Sequence, residues 1–168
     1  MGGSYPLCFA VRSIEAATGE LAAVLGVEWN PIRDGSLGDW SCRIVFSTAG
    51  PPFFEVIEGS PGSPWDVTET GSRFDHIGYW SSDVRRDRNL LVRRGAPVDF
   101  DGCPYGRSFT YHRLTGVGAR VELVDLDAQQ GFLDAWAPGG GTMSPFDPGP
   151  PDSTDGTGGT DGGPPARP

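Results

Sequence analysis

The sequence contains the same pattern twice. Pro6–Trp29 (PLCFAVRSIEAATGELAAVLGVEW) and His76–Val98 (HIGYWSSDVRRDRNLLVRRGAPV) follow one grammar. Each opens with an apolar, strand-like run and meets a polar residue able to cap a helix, Ser13 or Asp83. Each then enters a helical stretch closed by glycine, Gly26 or Gly95. In the first copy Ile14, Ala17, Leu21 and Leu25 recur at helical spacing, with Glu15 and Glu20 off that stripe. Two copies of one supersecondary unit constrain the fold more than any composition could.

The ends of the copies match as well. PPFFEVIEG (Pro51–Gly59) and ARVELVDLD (Ala119–Asp127) carry Glu-Val-Ile-Glu and Glu-Leu-Val-Asp. Before each lies another strand candidate, Ser41–Ser47 and Arg107–Arg113. Each half therefore reads β-α-β-β-β. The expected architecture is α+β: two βαβββ repeats forming a curved mixed sheet, a half-barrel cup with helices on its outer face. The units are expected at about 5–66 and 73–137, within one domain spanning 1–137. From Pro138 the chain runs in Gly, Pro and Asp with almost no apolar residues. Such a segment buries too little apolar surface to offset its ordering entropy, so 138–168 is expected to be a disordered tail.

Several function classes are excluded early. The net charge of -9 argues against nucleic acid or an anionic membrane as partner. No lysine occurs, which removes Schiff-base chemistry and a P-loop. The three cysteines, Cys8, Cys42 and Cys103, are odd in number and far apart, and read as reduced structural thiols. No signal peptide or membrane-length apolar run is evident, so the expected location is the cytoplasm.

The run RFDHIGYWSSDV (Arg73–Val84) carries the chemistry. Strand alternation puts His76, Gly78 and Trp80 on one side and Asp75, Ile77, Tyr79 and Ser81 on the other. A single histidine on an apolar strand is more often a satisfied core residue than a ligand. Glu55 and Glu122 change that balance, because internal symmetry should bring both to the same face, Glu55 beside Phe53 and Ile57 and Glu122 beside Arg120 and Val124. Carboxylates there are costly to bury unless paired, protonated or bound to a cation. Neutralisation by Arg43 or Arg120 is the structural alternative.

The duplicated βαβββ grammar, the Glu-φ-φ-acid strand closing each unit and the run DHIGYWSSDV together resemble the vicinal oxygen chelate superfamily. That superfamily includes glyoxalase I, methylmalonyl-CoA epimerase, extradiol dioxygenases and bleomycin-binding proteins. EVIEGSPGSPW, HIGYW and ARVELVD lean toward its glyoxalase-like group, and the likeness covers about Tyr5 to Trp136. It implies metal positions at the opening residue of each unit's first strand and at the acid of each last strand. Here these are Glu55, His76 and Glu122, with Pro6 where metal-binding members have histidine. One imidazole and two carboxylates suit a divalent ion such as Zn²⁺, Mn²⁺, Co²⁺, Ni²⁺ or Fe²⁺. A dioxygenase site wants two histidines, so Pro6 disfavours that activity.

The resemblance implies a small-molecule enzyme of isomerase, epimerase or lyase type, metal-assisted, acting on a substrate with vicinal oxygens. Glu122 and Glu55 are its candidate catalytic groups. Two alternatives stand beside it: a binding protein that sequesters an aromatic drug or metabolite, and a regulatory domain with a vestigial pocket. Trp80, Tyr111, His112, Phe53 and Phe109 are the candidate pocket residues, and Trp29, Trp40, Trp65 and Tyr105 candidates for its rim. The register of the hairpin around Thr115–Gly118 decides between Tyr111 and His112. Pairing with Glu122 puts one of them in the pocket and the other on the outer face. If His112 faces inward, it replaces the missing first-strand ligand. The expected partner is a small-molecule ligand or substrate, and a homodimer is the family's common assembly.

Overall fold

A computed structural model describes residues 4–48, 52–136, 145–147 and 149. The elements run β1 (Ser4–Ala10), α1 (Ile14–Leu25), β2 (Arg33–Leu37), β3 (Trp40–Phe46) and β4 (Phe54–Gly59). They repeat as β5 (Arg73–Ser81), α2 (Val84–Arg93), β6 (Val98–Asp101), β7 (Phe109–Leu114) and β8 (Ala119–Asp125). The order is βαβββ twice, and the eight strands form one mixed sheet, β2-β3-β4-β1-β5-β8-β7-β6. Within each half the first and last strands pair in parallel, β1 with β4 and β5 with β8. The halves join through antiparallel β1 and β5 at the centre.

Local chemistry explains the elements. The Ser13 side chain accepts from Ala16 N–H at the start of α1, and Asp83 accepts from Arg86 N–H at the start of α2. Gly26 closes α1 at φ 69°, a left-handed conformation suited to glycine. Glu58 lies on the outer face of β4 and accepts from Ile14 N–H at 2.8 Å, fixing α1 against its own unit. Beneath α1, Val11, Ile14, Val45 and Val56 form one core. The inner face carries a second, with Cys8, Ala10, Leu37, Ile57, Trp65, Val67 and Tyr111.

Two bulges sit where β1 meets β5. Phe9 pairs with Phe74 but Cys8 pairs with His76, which leaves Asp75 as an extra residue. Leu7 pairs with Ile77 and Tyr5 with Gly78, which leaves Pro6 extra on β1. Proline lacks the N–H that a regular ladder would use, so an unpaired position suits it.

An element outside the repeat follows β8. A 3₁₀ turn at Leu126–Ala128 leads into α3 (Gln129–Trp136), whose Phe132 packs on Phe46 and Trp80. Of the expected tail, only Pro145–Asp147 and Gly149 lie among the described residues, and the rest falls outside them. In that short piece Phe146 N–H donates to the Trp80 carbonyl at 2.6 Å, and its ring meets Tyr79 edge-on. No helix among the described residues is long and apolar enough to cross a membrane.

Candidate functional site

The concave face holds a cleft of about 760 Å³. Glu55 and Glu122 line it together with the aromatic residues Tyr111, Trp65, Phe109 and Phe132, while Arg33 and Arg107 bring charge to its wall. Strand pairing explains the convergence. Cys8 pairs with Glu55 across the parallel β1–β4 seam and with His76 across the antiparallel β1–β5 seam. Paired residues share a face, so all three side chains point inward. Glu122 arrives from β8, where it pairs with Gly78 and with Tyr111.

His76 is fully buried, with Nε2 3.3 Å from Glu122 Oε2 and 4.0 Å from Glu55 Oε2. Nδ1 lies 2.9 Å from Asp75 Oδ2. Asp75 reaches this position through the bulge, although regular alternation would have put it on the opposite face. Its oxygens are held by Arg120 and, at 2.9 Å, by Arg73. Burial works to raise the Asp75 carboxyl, yet the His76 hydrogen bond and the Arg120 charge outweigh it and hold the group at about 2. Whenever the imidazole is neutral, as it would be on binding a cation, a carboxylate fixed in this way keeps its proton on Nδ1 and leaves Nε2 as the lone-pair donor. Nε2 has no hydrogen-bond partner in its buried position. Unpaired buried nitrogen is costly, and a cation between the imidazole and the two carboxylates would satisfy all three groups at once. An imidazole nitrogen and two carboxylates are donor types that a divalent ion such as Zn²⁺ takes.

Without a cation, the electrostatics of the same groups favour a protonated ring balanced by its acidic neighbours. Burial pushes Glu55 up to about 7; the His76 charge opposes this and Glu122 adds to it. For His76, burial disfavours the charged ring, but Cys8, Glu122 and Asp75 around it raise its pKa well above the usual histidine range. Arginine does not neutralise the two glutamates. Arg43 pairs with Glu15 and Glu58 on the outer side, and Arg120 with Asp75 and Asp99. Arg120 also lies over the Tyr111 ring, its guanidinium carbon 4.0 Å from the centroid. Tyr111 accepts a hydrogen bond from the Trp65 indole at 3.0 Å.

The structure thus brings Glu55, His76 and Glu122 to one place, with Tyr111 and Phe109 on the cleft wall. Three expected pocket residues lie elsewhere. The β7–β8 register pairs Tyr111 with Glu122 and His112 with Val121, so His112 takes the outer face. There its Nδ1 lies 3.0 Å from the Ala96 carbonyl oxygen and its Nε2 3.2 Å from Thr110 Oγ1. His112 does not replace the missing first-strand ligand. Trp80 shares the side of His76, but Phe46, Val124 and Phe132 cover it, and it does not line the cleft. Phe53 precedes β4 and is likewise absent from the lining. Among the rim candidates, Trp65 lines the cleft. Trp29 instead packs under α1, and Trp40 and Tyr105 pack against Phe100.

Two neighbours of His76 lie outside what the sequence pattern assigns to the site. Asp75 depends on a bulge that alternation does not announce. Cys8 reads from sequence as a structural thiol, and all three cysteines are indeed free. Yet Cys8, Asp75 and His76 present ligand-type atoms within 4.8 Å of one another. The available signal is that Cys8 stands two residues from Pro6, the position where a ligand is expected.

Known structures share this architecture. A methylmalonyl-CoA epimerase in complex with methylmalonyl-CoA and NH4+ superposes with a TM-score of 0.55 at 16% identity, covering 74% of this chain and 94% of that one. The epimerase of Mycobacterium tuberculosis gives 0.55 at 14% identity, covering 73% and 87%. A hypothetical protein of Bacillus halodurans C-125 gives 0.59 at 17% identity, covering 74% and 94%. At these identities the likeness is one of fold. None of the curated proteins matches the sequence. A family model does match, over residues 7–111, from β1 through Glu55 and His76 to Tyr111. The doubled βαβββ cup thus has its place among known folds, and the chain belongs to the Glyoxalase/Bleomycin resistance protein/Dioxygenase superfamily.

Proposed function

We propose that the protein is a metal-assisted enzyme of the isomerase, epimerase or lyase type, moving a proton on a small substrate with neighbouring oxygens. The observation that carries this reading is the buried, unpartnered Nε2 of His76, facing two carboxylates at a cleft. Glu55, His76 and Glu122 would hold the divalent ion (Zn²⁺, Mn²⁺, Co²⁺, Ni²⁺ or Fe²⁺), which would supply a Lewis acid to two adjacent substrate oxygens. Asp75 keeps the imidazole oriented, and Arg120 and Arg73 keep Asp75 charged. Glu55 is the group we assign to proton transfer. It is the carboxylate farther from Nε2, and so the one placed to reach a substrate proton while Glu122 stays beside the imidazole. Trp65, Phe109 and Tyr111 line the same cleft and would give the substrate an apolar wall beside the carboxylates.

Solvent exchange tests the reading. Candidate 2-carbonyl and thioester compounds are incubated with the protein in D2O, and deuterium at the carbon beside the carbonyl is followed by mass spectrometry. Exchange that is lost on metal removal and in Glu122→Gln supports the assignment. Turnover of a confirmed substrate that neither change affects contradicts it.

The aromatic lining favours a second reading, a binding protein that sequesters an aromatic drug or metabolite. Tight binding of such a ligand, recovered chemically unaltered, would decide for it.

A further inference from the structure

The two halves supply their inward side chains unequally, and the inequality has a pattern. In the second unit the strand opens with His76, and two residues on stands Gly78, paired with Glu122. In the first unit the matching opening residue is Pro6, and two residues on stands Cys8, paired with Glu55. One unit has an imidazole followed by no side chain. The other has no ligating side chain followed by a thiol. Each half therefore brings two donors, His76 with Glu122 and Cys8 with Glu55.

From this we infer that Cys8 is the fourth protein ligand of the metal centre, standing in for the imidazole that Pro6 cannot provide. The inference rests on the metal-assisted reading above. Three observations support it. Cys8 is fully buried, and its thiol lies in contact with both Glu55 and His76. The unpartnered Nε2 of His76 is buried beside it, so a second group there wants a cation. Asp75, the other ligand-type neighbour, is tied to His76 Nδ1 and to the charges of Arg120 and Arg73, whereas the polar contacts of the sulfur are with Glu55 and His76, the groups that would share the ion. One thiolate, one imidazole and two carboxylates form a softer set than a two-histidine, two-carboxylate site. That set selects Zn²⁺, Co²⁺ or Fe²⁺ over Mg²⁺ or Mn²⁺.

The test uses the full chain, stripped with a chelator and titrated with Co²⁺. A Cys42→Ser/Cys103→Ser double variant leaves Cys8 as the sole thiol without touching it. The inference predicts an intense thiolate-to-cobalt absorption in the near ultraviolet for both the native chain and this variant. It also predicts loss of that band in Cys8→Ser and in Cys8→Ala. Cobalt affinity in those two should fall by at least the roughly tenfold that even outer partners of a metal are worth. Cobalt bound without the thiolate band, and with affinity unchanged in Cys8→Ser, overturns the inference and leaves the metal reading intact. A native chain that binds neither Co²⁺ nor Zn²⁺ overturns both.

Discussion

The two halves of the cup share a topology and differ in how they treat their buried polar groups. In the first half the acids of the outer face serve the helix. Glu58 caps α1 and Arg43 joins Glu15 to Glu58. In the second half a buried network underlies the site itself, running from Arg73 and Arg120 through Asp75 to His76. One half thus supplies a carboxylate and a thiol with little support beneath them. The other supplies an imidazole whose tautomer and orientation are locked. The halves share a backbone topology and differ in the side chains they bring to the cleft.

The strongest way to break this comparison is to remove the support from the second half. Asp75→Asn takes from buried Arg120 the closer of its two acid partners, leaving Asp99 at 3.4 Å, and releases Nδ1 of His76. A loss of about 3–5 kcal/mol is expected in denaturant unfolding, as for other broken buried ion pairs. Metal affinity should also fall roughly 10–100-fold, measurable by calorimetry. No comparable change is expected from Arg43→Ala, whose close partner Glu15 is exposed and whose contact with half-buried Glu58 is a longer 3.6 Å.

The first half is tested through Glu55. Its folded-state pKa, about 7, lies above the unfolded carboxylate value of 4.5. The native state therefore holds the proton more tightly than the unfolded state. This contribution to stability is complete at pH values below the unfolded pKa, and it is lost as pH rises through the folded one. In metal-free protein it amounts to about 3 kcal/mol. Glu55→Gln should remove that fall from the pH profile of unfolding. Metal binding must displace the same proton, so native affinity should weaken as pH drops below neutrality.

Smaller effects sharpen the contrast. Tyr111→Phe removes the acceptor for the Trp65 indole and should cost about 1–3 kcal/mol, since a buried donor is left unsatisfied. The two histidines of the second half should separate cleanly. His112→Gln is expected to lower stability by about 1 kcal/mol through the lost Ala96 contact while leaving metal affinity unchanged. Elemental analysis of dialysed protein checks the second part.

Much of this architecture could be read from the repeat. Ser13 and Asp83 announce their helices, and alternation turns Glu55, Glu122 and His76 to the same side as long as each strand stays regular. What alternation cannot reveal is a bulge, because one added residue leaves composition untouched while reversing a side chain's direction. Asp75 was hidden for that reason, and so was the unpaired setting of Pro6. The β7–β8 register was equally illegible. It follows from a four-residue connection, 115–118, closed by Gly118 at φ 65°, and the run Leu-Thr-Gly-Val-Gly-Ala permits more than one such turn. α3 lay outside the repeat, so internal similarity could not signal the helix that covers Trp80.

Metal-assisted proton transfer at this site requires donors from both halves to grip a single cation. Equilibrium dialysis of stripped protein against Zn²⁺, with metal content read by elemental analysis, addresses that requirement without any knowledge of substrate. The account predicts a single ion per native chain and marked weakening in Glu55→Gln, in His76→Asn and in Glu122→Gln alike. A native chain that retains no ion, or variants of one half that bind as tightly as the native chain, would contradict it.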